Sequence, residues 1–149
     1  MKEGFADSFG MRLRRAYHAL HRRTNAELRR RFNVTADQFV VLNLLAEGDC
    51  ASQQELCARC YSDPSTMGAL VRLMETHGWV RREPDKADAR ARRVRLTPKG
   101  RALQKKLWEA ASEGFHGQLW AVPRTAREER VLLKALDRVV SAMEEGADS

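Results

Sequence analysis

Side chains suited to capping helices recur along this chain at the spacing that helix N-termini demand, and they set its class before hydrophobic periodicity is considered. Thr35 to Gln38, Ser52 to Glu55 and Thr125 to Glu128 each place a hydroxyl three residues ahead of Gln or Glu. In this capping box the hydroxyl accepts the N3 amide hydrogen while the N3 side chain reaches back to the cap amide. Asp63 before Pro64 and Thr97 before Pro98 add two starts of another kind, a capping side chain followed by a proline at the first helical position. Five capped helices in 149 residues predict a mainly α fold. Ahead of them Phe5, Phe9, Leu13, Ala16, Tyr17, Leu20, Leu28 and Phe32 recur at helical spacing, which predicts one amphipathic helix over residues 5–32, ended by Asn33. Leu103, Leu107, Trp108, Phe115, Leu119 and Trp120 predict a long helix after Pro98, and Leu132, Leu136, Val139, Val140 and Met143 stripe the last one.

Between Trp79 and Leu96 the period changes from that of a helix to that of a strand. Val80 to Arg82 and Arg93 to Leu96 alternate, with the polar loop Pro84 to Ala91 between them, so a two-stranded β-ribbon is expected. Helices 35–47, 52–60 and 64–77 followed by this ribbon stand in the order of a winged helix-turn-helix. No linker or repeat divides the chain, so residues 1–149 read as a single domain. Its DNA-binding lobe spans about residues 35–100, and helices at about 5–32 and 101–145 carry apolar stripes that predict dimerisation.

Charge points the same way. Nine basic and three acidic side chains fall within Trp79 to Arg101, a local footprint for a polyanion such as double-stranded DNA. The longest apolar run, Phe39 to Leu42, is far too short to cross a bilayer. Three cysteines, an odd count in a chain that needs no bridges, predict a reducing, cytoplasmic setting. No phosphate-binding glycine loop, His-Glu-x-x-His motif or Gly-x-Ser-x-Gly elbow is present, so neither catalysis nor a cofactor is expected.

Within the third helix of the lobe, Met67, Leu70, Val71 and Met74 share the core face, which leaves Ser65, Thr66, Ala69 and Arg72 to the other side. Gly78 stands where a left-handed C-terminal cap belongs, and Trp79 follows as its apolar partner. The runs Asp63-Pro64-Ser65-Thr66-Met67, Glu75 to Arg82, Asp88-Ala89-Arg90 and Val94-Arg95-Leu96-Thr97-Pro98-Lys99-Gly100 resemble the MarR (multiple antibiotic resistance regulator) family over nearly the whole chain. The resemblance implies a homodimeric transcription factor, usually a repressor, that binds a palindromic operator and releases it on sensing a small molecule or oxidant.

Argued separately, an Asp two residues before an Arg at a loop tip can hold the guanidinium ready for a narrow minor groove, so Asp88 orients and Arg90 inserts. Lys86, Arg92, Arg93 and Arg95 are expected to supply phosphate contacts. The family commonly has basic side chains in the middle of the recognition helix, where this chain has Ala69 and Leu73. Arg72 can take that duty from a neighbouring position, and Ala69 can meet a thymine methyl.

The resemblance also implies an effector pocket between the dimer helices and the DNA-binding lobe. Tyr17, His21, Phe39 and Trp108 are its candidate lining, for a planar aromatic acid. Cys50, Cys57 and Cys60 lie within eleven residues. They read as small buried hydrophobes or, alternatively, as a redox or metal sensor whose output is DNA release. No complete metal-ligand set stands out. An architectural DNA binder without an effector is the remaining alternative.

Overall fold

In the computed structural model, which describes residues 4–113 and 125–145, the helices begin where side chains satisfy the first free amides. The Thr35 hydroxyl accepts from the Gln38 amide at 3.1 Å while Gln38 Oε1 accepts from the Thr35 amide at 2.9 Å, which starts α2 (Ala36–Gly48). Ser52 and Glu55 exchange the same pair of bonds ahead of α3 (Gln53–Cys60). Asp63 accepts from the Thr66 amide at 2.9 Å ahead of α4 (Pro64–Thr76). Thr97 caps α5 (Pro98–Glu113), and the Thr125 hydroxyl accepts from the Glu128 amide at 3.1 Å as α6 (Ala126–Glu145) begins.

The first helix is shorter than its periodicity predicts. α1 spans Phe9–Phe32 and is capped by Ser8, whose hydroxyl accepts from the Met11 amide; Phe5–Asp7 forms a single 3-10 turn instead. Phe5 keeps the apolar spacing, but Ser8 has an extended ψ of 154° that breaks the α-helical run. At the other end Asn33 adopts a left-handed φ of 54° and terminates the helix. Phe115, Leu119 and Trp120, expected on the helix after Pro98, lie outside the described residues.

Three strands form the sheet, not two. β1 (Cys50–Ser52), β2 (Val80–Pro84) and β3 (Arg92–Leu96) pair antiparallel in the order β1-β3-β2. β1 escapes a periodicity search because three residues show only one alternation, and its partners, Cys50 opposite Arg95 and Ala51 opposite Val94, are far away in sequence.

Two compact units are present, Met1–Ala111 and Ser112–Ser149. In the first, Leu28, Val34, Leu42, Leu45, Leu56, Met67, Val71, Met74, Val94 and Leu107 are buried in one core drawn from α1 to α5 and the sheet. In the second, α6 buries none of its residues; Leu132, Leu136, Val140 and Met143 all remain exposed. Among the described residues no helix is long and apolar enough to cross a membrane.

Candidate nucleic-acid interface

The interface begins with the way α4 is held. Met67, Val71 and Met74 are buried and Leu70 is half-buried, so Ser65, Thr66, Ala69 and Arg72 occupy the exposed side, as the periodicity predicts. Leu73 shares that exposure. Gln53 of α3 donates through Nε2 to the Pro64 carbonyl at 3.1 Å, which tethers the start of α4 to the helix before it. Gly68 is buried at this crossing, and a methyl group there would come within 3.2 Å of the Gln53 amide nitrogen and 3.5 Å of the Arg72 guanidinium. The Thr66 hydroxyl donates to Asp63 at 2.6 Å. This bond and the amide bonds from Thr66 hold the Asp63 carboxyl below its ordinary range, as suits a carboxylate at the positive end of a helix.

α4 ends in a Schellman arrangement. The Gly78 amide donates to the Glu75 carbonyl at 2.8 Å and the Trp79 amide to the Met74 carbonyl at 3.0 Å, with Gly78 at φ +73°. Trp79 is buried, and its ring stacks on His77 at 4.4 Å. This cap is joined to the start of α5: Thr97 donates through its hydroxyl to the Gly78 carbonyl at 2.6 Å and accepts from the Gly100 amide at 3.0 Å. A side chain at Gly100 would overlap the Trp79 carbonyl. The Leu-Thr-x-x-Gly run is therefore a structural joint, in which threonine bonds both helix ends and glycine lets the two backbones meet.

On the wing, ion pairing sorts the basic residues. Arg81 and Arg95 face each other directly across the β2–β3 register and would repel. Glu83 lies between them, Oε1 2.6 Å from Arg81 and Oε2 3.2 Å from Arg95. Arg82, on the other face, reaches Glu75 of α4 at 3.1 Å. Arg93 meets Glu55 at 3.2 Å and Asp85 at 3.6 Å. Lys86, Arg90 and Arg92 are exposed at the tip and pair with no carboxylate among the described residues. Of the five basic wing residues expected to meet DNA, these three are free to do so, whereas Arg93 and Arg95 already have carboxylate partners. Glu83 and Asp85 escaped the sequence analysis, and Glu55 was read there only as a helix cap; the alternation Arg81-x-Glu83 on one strand face was the available signal for the first.

Asp88 organises Arg90 differently from expectation. Its Oδ1 accepts from the Arg90 backbone amide at 2.9 Å, and the guanidinium is left free among the described residues. A carboxylate two residues back reaches the local amide more readily than the end of a long side chain, and the result is an Asx turn. Asp85 makes the same kind of turn one step earlier, with Oδ1 accepting from the Ala87 and Asp88 amides at 2.7 and 3.2 Å.

The aromatic candidates differ in exposure. Tyr17 and His21 are neighbours at 5.8 Å on α1, and His21 Nε2 lies 3.4 Å from Asp37 Oδ1 of α2. Phe39 is buried in the core. Trp108 is 53% exposed on α5. Cys50, Cys57 and Cys60 are half-buried free thiols; burial pushes the Cys60 thiol up, and Cys50 Sγ accepts from Arg93 Nε at 3.3 Å.

Two short helices presenting a third, with a basic ribbon beside it, define the winged helix-turn-helix class of DNA-binding regulators. The sequence profile of the MarR family matches residues 24–91. The transcriptional regulator HosA of Escherichia coli O157:H7 is 33% identical over 92 residues, which cover 60% of this chain and 68% of HosA. The HTH-type transcriptional regulator TtmR of Methylorubrum extorquens is 36% identical over 74 residues, which make up half of this chain but only 38% of TtmR. Among solved structures, the transcriptional regulator BldR from Sulfolobus solfataricus superposes with a TM-score of 0.74 at 27% identity, covering 87% of this chain and 90% of BldR. The chain belongs to the MarR family, whose members are transcriptional regulators.

Proposed function

We propose that the chain binds a palindromic operator as a homodimer and acts as a repressor that a small aromatic effector releases. One observation carries the DNA reading: the same compact unit exposes one face of α4 and leaves Lys86, Arg90 and Arg92 without a carboxylate partner among the described residues. Ser65, Thr66, Ala69 and Arg72 face the major groove in this reading, Arg90 enters the minor groove beside it, and Lys86 and Arg92 meet phosphates. Arg95 can exchange its half-buried Glu83 carboxylate for a phosphate.

The homodimer reading rests on apolar side chains that a single chain leaves in water. Phe9, Tyr17 and Leu20 of α1 and the row from Val131 to Met143 of α6 are exposed, far more than scattered surface residues account for. In this scheme the DNA-binding lobe spans about residues 35–100 and the helices at about 5–32 and 101–145 form the dimer. The effector reading is supported by the ring pair Tyr17 and His21 beside Asp37. A planar acid could stack there and accept from the imidazole.

Selection of bound fragments from genomic DNA, with analytical ultracentrifugation of the free protein, tests the proposal. The expected result is a dimer and a recovered motif with dyad symmetry, its half-sites about 10 base pairs apart. A monomer, or recovered sequences without symmetry, would refute the operator model, and sequence-indifferent binding would favour an architectural role. Release by a non-thiol aromatic acid in a variant lacking Cys50, Cys57 and Cys60 would exclude the thiol-sensing alternative.

A further inference from the structure

Arg93 stands on β3 opposite Ser52 on one side and Glu83 on the other, and it is the wing residue with the most partners. Its guanidinium donates through Nε to Cys50 Sγ and through Nη2 to the Cys50 carbonyl, each at 3.3 Å. Nη2 also lies 3.2 Å from Glu55 Oε2, and Nη1 3.6 Å from Asp85 Oδ2. The side chain is 29% exposed, so its charge is largely occupied within the protein.

Both carboxylates have a second task. Glu55 Oε2 accepts from the Ser52 amide at 2.6 Å, the bond that starts α3. Asp85 uses its other oxygen to hold the Ala87 and Asp88 amides, and Asp88 in turn holds the Arg90 amide. The backbone closes the loop as well, with Asp85 N donating to the Ala91 carbonyl at 2.9 Å and Ala91 N to the Asp88 carbonyl at 3.0 Å. A series of hydrogen bonds, joined by the 3.6 Å ion pair between Arg93 and Asp85, thus runs from the cap of α3 to the residue at the wing tip. The amide bonds, with Arg93 assisting, hold the Glu55 and Asp85 carboxyls below their ordinary range and keep both charged.

We propose that Arg93 is a positioning residue for DNA binding, a strut that fixes the wing tip to the start of α3 and so sets where Arg90 is presented, without touching DNA itself. The proposal rests on the DNA reading above. Only a planar guanidinium can reach a thiol, a carbonyl and two carboxylates at once, so lysine cannot replace it even though it keeps the charge.

The test uses the full-length chain and a fluorescein-labelled duplex carrying the sequence that the wild type selects from a random pool. Affinity is measured by anisotropy over a salt series, and amide exchange in the wing is followed by NMR without DNA. Arg93→Ala and Arg93→Lys should each weaken binding by about tenfold, within the range for losing one groove contact. Their salt slope should stay that of the wild type, and the Ala87, Asp88 and Arg90 amides should exchange faster. Arg92→Ala, as a phosphate contact made once by each protomer of the dimer, should instead lower the slope by about 1.8 and leave exchange unchanged. In an Arg90→Ala background, Arg93→Ala should add little further loss, since it acts through that residue.

Wild-type affinity for Arg93→Lys, or a slope reduced by about 1.8 in Arg93→Ala, would make Arg93 a phosphate contact and overturn the proposal. Arg93→Lys decides the matter if Arg93→Ala does not fold. Wing amides that exchange normally in both variants would overturn this proposal alone, whereas a wild-type chain that binds no duplex would overturn the DNA reading with it.

Discussion

The recognition helix and the wing belong to one interface but are built by opposite means. α4 is assembled from near neighbours: Asp63 starts it, an apolar row at helical spacing seats it, and Gly78 and Trp79 close it within a few residues. The wing is assembled from a distance. β3 pairs with β1 across more than forty residues, and the carboxylates that neutralise its arginines come from α3, α4 and β2. The helix is therefore held by burial, whereas the wing adds compensated charge among its arginines to the burial of Val80, Val94 and Leu96. Perturbing the core should damage the fold as a whole, while perturbing the wing's charges should change binding and leave the fold standing.

The largest expected effect lies under the helix. Met74 is fully buried, and Met74→Ala should lower the unfolding free energy by about 2–5 kcal/mol through lost contacts and a residual cavity. Urea denaturation followed by circular dichroism measures it, and a loss under 1 kcal/mol would mean that the α4 seat readily collapses (about 2 is the expected floor).

Gly100→Ala tests the joint between the α4 cap and the start of α5. A methyl group there would overlap the Trp79 carbonyl, which is backbone and cannot swing away. A cost of about 1–3 kcal/mol is expected from the forced backbone shift, read from the urea midpoint. An unchanged midpoint would show that α5 slides freely past the α4 cap.

At the wing, Arg90→Ala should weaken operator binding by about 1–3 kcal/mol without moving the melting temperature. Asp88→Ala should weaken it too, by releasing the Arg90 amide from its turn. Equal operator affinity for wild type and Arg90→Ala at matched salt would return that residue to the solvated surface.

Gly78→Ala is a smaller perturbation, about 1 kcal/mol, because it places a Cβ at a left-handed φ of +73° with no clash, the Lys99 side chain lying 3.9 Å away. Thermal melts should show it with DNA binding retained, and no shift at all would mean that the cap is not held in this conformation.

The smallest effect is pH-dependent. Glu55 and Asp85 are held below their ordinary values by amide bonds, with Arg93 adding to each. A carboxyl whose folded pKa is depressed stabilises the fold above its unfolded pKa, and that contribution fades as pH falls through the ordinary carboxylate range towards the folded value. A Glu55→Gln, Asp85→Asn double variant should therefore be less stable than wild type at neutral pH, and the gap should shrink on acidification. A gap that stays constant would assign the loss to shape instead of charge.

Much of the lobe was legible because its signals are local. Capping boxes at Thr35 and Ser52, the αL positions at Asn33 and Gly78, and the buried face of α4 each rest on contacts within one or two helical turns. Where the reading went astray, a distant or competing contact decided the outcome. Ser8 overrode the apolar spacing at Phe5, β1 was too short to announce itself, and Asp88 took the Arg90 amide where a side-chain bond had been expected.

Composition and pattern alone determined the class of the protein: a mainly α winged helix-turn-helix with a basic ribbon and apolar stripes left over at both ends. Those properties follow from backbone capping and side-chain periodicity, which act over a few residues. Only the tertiary structure decided which arginines are free. Nine basic residues between Trp79 and Arg101 look alike in a sequence, but strand register sets Glu83 between Arg81 and Arg95, the packing of α3 against the sheet brings Glu55 to Arg93, and the pairing of β1 with β3 brings Cys50 there. Ion pairing falls off with distance in space, not along the chain, so the division of the wing into a braced base and a free tip appears only once the chain has folded.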